Sequence, residues 1–88
     1  LYARGQLWMA RRKFEEASAY FERIYVLYGG HKAWVGKAYL ARAECLAKLG
    51  RERAAMETLD ELLGRSDLSD LPEMAAAREM RQKLEGRL

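Results

Sequence analysis

An all-α fold of about five antiparallel helices is predicted by three features of this 88-residue chain. Apolar residues recur every three or four positions throughout, no segment alternates apolar and polar residues over six or more positions, and Pro72 is the single proline. The first expected helix is short, from Leu1 to Ala10, with Leu1, Gly5 and Trp8 on one side. The second runs from about Phe14 to Tyr28, where Phe14, Ala17, Phe21, Ile24 and Tyr28 fall on one stripe before Gly29 and Gly30 stop it. The third spans about Lys32 to Leu49, carries Val35, Tyr39, Leu46 and Leu49 with Ala38 and Ala43 between them, and closes at Gly50 in a left-handed conformation. Ala55, Leu59 and Leu62, flanked by Met56 and Leu63, define a fourth helix from about Glu52 to Leu63, ended by Gly64. Arg65 to Asp70 is rich in Ser and Asp and reads as a loop. Asp70 followed by Glu73 has the form of a capping box, and Pro72 stands where its missing N–H has no helical partner in any case. A last helix over about 70–86 then presents Met74, Ala77, Met80 and Leu84. The short connections make consecutive helices antiparallel.

Half of the residues are apolar and a third are charged, the balance of a folded chain, and the length suits one domain over 1–88. No apolar run approaches the ~18–20 residues that cross a bilayer, so no transmembrane segment is expected. A start at Leu1 instead of Met reads as a processed chain or a fragment of a longer one. The net charge of +3 comes from 16 basic and 13 acidic side chains. Residues 1–44 hold eight basic and four acidic ones, and residues 45–88 hold eight and nine, so the basic excess is N-terminal and a weak nucleic-acid signal. One cysteine, Cys45, and one histidine, His31, supply neither a disulfide nor a metal cluster, and neither metal nor cofactor is expected.

The chain matches itself at a shift of 38 residues: Ala3 with Ala41, Arg4 with Arg42, Gly5 with Ala43, Trp8 with Leu46, Ala17 with Ala55, Phe21 with Leu59, Glu22 with Asp60 and Ile24 with Leu62. Small residues sit where two helices cross closely, and large ones one turn on fill the space beside the crossing. The order Ala43, Leu46, Gly50, Ala55, Leu59, Leu62 resembles the tetratricopeptide repeat. The resemblance implies a right-handed superhelix of helix-turn-helix units: one over about 1–30, one over about 31–65, and a C-terminal capping or half-repeat helix over about 70–86. Several positions depart from the family pattern. The inter-helix glycine is Arg12 in the first unit, the proline after the second helix is replaced by Gly29 and Asp67, and a large apolar position is Arg4 and Arg42. With the 38-residue period, these departures are similar to the longer-turn repeats of bacterial envelope proteins, which implies a periplasmic or envelope setting; from the chain itself the compartment stays open between cytoplasm and periplasm.

The family resemblance implies a non-enzymatic module that binds a peptide or protein in a groove lined by the first helix of each unit. Carried over by position, the inner face is Tyr2, Gln6 and Met9 in the first unit and Lys37, Leu40, Glu44 and Lys48 in the second. That set is either a mixed apolar and charged groove or an ordinary solvated helix face. The groove asparagines with which some chaperone-binding members grip a C-terminal carboxylate have no counterpart, because the chain contains no Asn. All nine aromatics lie in the first 39 residues. Trp8, Phe14 and Phe21 belong to core stripes, whereas Tyr2, Tyr20, Tyr25 and Trp34 fall off them and face a partner or a neighbouring helix. An aromatic N-terminal helix also calls for a cover, either further repeats upstream or a homodimer contact.

Other groups point to structure before chemistry. Arg11, Arg12 and Lys13 form a basic turn, His31 has no nearby carboxylate, and Cys45 sits in an apolar-periodic helix as a small hydrophobe. Glu15, Glu16, Glu22, Asp60 and Glu61 decorate the outer faces of second helices without forming an enclosed acid/base pair. The readings that remain are an interaction module, a segment that self-associates through its aromatic N-terminal helices, and a nucleic-acid-binding bundle marked by salt dependence.

Overall fold

A computed structural model describes residues 12–27 and 30–87. The described chain is all helical, with no strand: α1 (Phe14–Leu27), α2 (Lys32–Lys48), α3 (Glu52–Leu63), a 3-10 turn over Ser66–Leu68, and α4 (Glu73–Glu85). The expected helix over 1–10 lies outside the described residues. Substantial packing joins α1 to α2, α2 to α3 and α3 to α4, and α4 also lies against α2. Phe21, Val35, Cys45, Leu59, Leu62, Leu68 and Leu84 are the largest fully buried side chains. Ala17, Ala38, Ala43, Ala55 and Ala77 are fully buried between them, where the lack of a bulky side chain lets helices approach.

The turn between α2 and α3 is a Schellman motif. The Gly50 N–H donates to Ala47 O at 3.0 Å and the Arg51 N–H to Leu46 O at 2.9 Å, with Gly50 at φ +78°. Thirty-eight residues earlier, Arg12 adopts φ +60° ahead of α1, the left-handed region that glycine enters without steric cost. The two turns deliver their helices alike: α1 starts at Phe14 and α3 at Glu52, and the N–H groups of Ala17 and Ala55 donate to Lys13 O and Arg51 O, each at 3.0 Å. Ala17 and Ala55, Phe21 and Leu59, and Ile24 and Leu62 are buried in both helices.

The last helix differs from expectation at its start. α4 begins at Glu73 with Pro72 as N-cap and no side-chain cap, so the Asp70–Glu73 capping box does not form. Two leucines fix this segment. Leu68, in the stretch expected to be a loop, is fully buried, and Leu71 packs over Gly36, where an added Cβ would come within 2.5 Å of Leu71 Cδ1. Backbone bonds from Leu71 N to Leu68 O and from Met74 N to Leu71 O, both 3.1 Å, carry the chain into α4 between these anchors.

The register of α4 relative to α2 is 39 residues. Val35, Ala38 and Cys45 correspond to Met74, Ala77 and Leu84, all buried. Arg42, which pairs with Glu22 of α1 at 3.4 Å, corresponds to Arg81, which pairs with Asp60 of α3. The second buried stripe of α2, Tyr39, Ala43 and Leu46, includes the Tyr39 hydroxyl that donates to Glu61 of α3. Its counterparts on α4 are Arg78, Gln82 and Glu85, all exposed. α2 is therefore covered on two sides and α4 on one.

Candidate functional site

α2 and α4 lie side by side in the same direction, and between them is an open groove of about 460 Å³. Its lower surface is apolar, with Ala47 of α2 and Ala76, Met80 and Leu84 of α4. Its rims are charged, with Glu44 and Lys48 on one side and Glu79, Lys83 and Arg87 on the other. The 39-residue register explains the pairing of positions: Lys37, Leu40, Glu44 and Lys48 on α2 correspond to Ala76, Glu79 and Lys83 on α4 and to Arg87 just beyond its end. Glu79 and Lys83 pair at 3.4 Å on the surface, a contact of the kind worth ~0.3–0.5 kcal/mol.

Of the seven residues expected on the inner face, Tyr2, Gln6 and Met9 lie outside the described residues. Glu44 and Lys48 line the groove. Lys37 is exposed further along α2, and Leu40 is half-buried against the core; neither lines the groove. The α4 contribution does not follow from the 38-residue repeat, which leaves the register of the last helix unfixed. The signal for it was a 39-residue shift pairing Ala38 with Ala77 and Arg42 with Arg81.

A second polar cluster ties α1, α2 and α3 together. The Tyr25 and Tyr39 rings stack at 3.9 Å, and the Arg42 guanidinium donates to the Tyr25 hydroxyl at 2.8 Å and to Thr58 Oγ1 at 3.3 Å. Arg42 Nε is buried without a hydrogen-bond partner among the described residues. Arg65, paired with Asp67 at 2.8 Å, lies 6.0 Å above the Tyr39 ring. Burial pushes the Tyr25 phenol up to about 12 against the opposing pull of Arg42, and burial, then the hydrogen bond to Glu61, raises that of Tyr39. Tyr20 and Tyr25 are both buried, and Tyr25 faces α2 through its stack on Tyr39. Trp34 remains 47% exposed.

Cys45 is fully buried, and desolvation raises its thiol to about 11, which keeps it protonated and inert at neutral pH. Glu61 and Asp60 are engaged by Tyr39 and Arg81. Among the described residues no group of three or more His, Cys, Asp and Glu is placed to hold a metal ion, and no helix is long and apolar enough to cross a membrane. Comparison of the chain with protein-family models, with curated proteins and with solved structures finds no match.

Proposed function

We propose that the chain is a non-enzymatic protein-interaction module of the tetratricopeptide type, with units over about 1–30 and 31–65 stacked as a right-handed superhelix and α4 as a capping helix. It binds a peptide or protein segment along the α2–α4 groove. The observation that carries this reading is the groove itself, in which two helices of equivalent register present an apolar surface between charged rims. The like geometry of the Arg12 and Gly50 turns, 38 residues apart, supports a repeated unit. The polar stripe Arg78, Gln82, Glu85 on α4 supports its role as a cap.

The test is affinity capture from native lysate on the immobilised chain, with the double variant Glu44→Arg, Ala76→Arg as control. Both positions are exposed, so the control should melt as the parent does. A stoichiometric partner lost with the control supports the groove, and retention that ignores the control counts against it. A second reading, self-association, is favoured by the exposed Val26 (67%), Leu27 (65%) and Trp34 around the α1–α2 turn. A mass that rises with concentration and returns to that of the monomer in Val26→Glu, Leu27→Lys supports it; a strict monomer at high concentration removes it.

A further inference from the structure

The charges of the groove are not evenly spread. α2 and α4 run in parallel, so their C-terminal turns share one end, and there Lys48, Lys83 and Arg87 converge around the apolar surface of Met80. Lys48 and Arg87, equivalent in register, both line the opening and make no ion pair with any described residue. Lys83 has only its pair with Glu79, in which both side chains are 70% exposed, so water competes freely for it. The partial negative charge of a helix C-terminus is complemented by a basic residue in the last turn. Lys48 and Lys83 serve that purpose, and Arg87, beyond the end of α4 at Glu85, is surplus to it. Glu44 stands one turn back from this end.

We propose that the groove selects a partner segment that combines acidic and apolar side chains. Its carboxylates meet Lys48, Lys83 and Arg87, and its apolar anchor lies on Met80. This rests on the groove reading above and names the chemistry of its ligand. A carboxylate placed there meets, in Lys48 and Arg87, cations that no described residue neutralises, whereas a basic segment adds like charge. The apolar surface alone would accept either, so the cationic end sets the choice and the orientation of the bound segment.

The probe is a phage-displayed library of random twelve-residue peptides selected on the immobilised full chain, on Lys48→Glu, Arg87→Glu, and on Ala76→Arg. All substituted positions are exposed, and matching melting curves establish that the variants fold. The expected result is at least a twofold enrichment of Asp and Glu over the unselected library on the parent chain. On the charge-reversed variant the preference turns to Lys and Arg, and on Ala76→Arg retention is lost. Acidic content at the library level, or the same acidic preference on the charge-reversed variant, overturns the proposal while leaving the groove standing. Peptides retained equally by Ala76→Arg, or no peptide retained at all, overturn the groove reading itself. Capture of a generic single-stranded oligonucleotide that depends on Lys48 and Arg87, without acidic peptides, replaces the proposal with a phosphate-binding surface.

Discussion

α2 and α4 share a register and a preceding neighbour of the same kind, yet α2 buries two stripes and α4 one. Both lay a small-residue face, Ala38 or Ala77, toward the earlier helices and reach back with an arginine to an acidic residue, Glu22 or Asp60. They part where α2 turns Tyr39, Ala43 and Leu46 inward and α4 turns Arg78, Gln82 and Glu85 outward. Burial on a second side is what separates these two helices.

The comparison breaks most sharply at Leu84. It is the largest fully buried side chain on the only buried stripe of α4, and Leu84→Ala should cost ~2–4 kcal/mol in denaturant melts, with α4 lost ahead of the rest. Next come the two arginines. Arg42→Ala strips the Tyr25 hydroxyl and Glu22 of a part-buried donor and should cost ~2–3 kcal/mol, whereas Arg81→Ala, which breaks solvated pairs with Asp60 and Glu85, should cost clearly less. Equal losses would mean that the two bridges are alike in spite of their surroundings.

Alkali should act on α1 and α2 and spare α4. Cys45 and Tyr25 bind their protons more tightly folded than unfolded, so their contribution to stability is constant below about pH 9, the ordinary thiol value, and is lost as pH rises through 9 to 12. The loss should reach at most ~5 kcal/mol, shared between the two groups, and shrink in Tyr25→Phe. The buried stripe of α4, Met74, Ala77 and Leu84, carries nothing that ionises. The smallest effect tests the turns. Arg12→Gly should stabilise by about 0.5 kcal/mol by relieving the left-handed φ, and Gly50→Ala should destabilise by about 1 kcal/mol, both read as shifts of the denaturation midpoint.

The helices of the second pair were legible because their signals are local. The stripe Ala55, Leu59, Leu62 and the glycines at 50 and 64 bound α3 within the twelve residues that fold as a helix, and Gly50 takes the left-handed conformation its position calls for. The start of α4 was not legible, because Leu68 and Leu71 stand among Ser and Asp and owe their burial to tertiary partners, the core and the notch at Gly36. The same reason divides the candidate site. Glu44 and Lys48 follow from the face of one helix, whereas Ala76, Glu79, Lys83 and Arg87 require knowing how a second helix docks beside it. Tyr25 and Arg42 look out of place on their helices until α1, α2 and α3 are brought together, when each becomes the other's partner.

The single buried stripe of α4 makes it the least secured of the described helices, and half of the groove exists only while it is docked. Occupancy and docking are therefore linked equilibria: a ligand held between α2 and α4 closes the helix down by mass action, and helix undocking sets a ceiling on how long the ligand stays. Amide hydrogens of α4 should exchange faster than those of α2 in the free protein, and the difference should narrow as the groove fills.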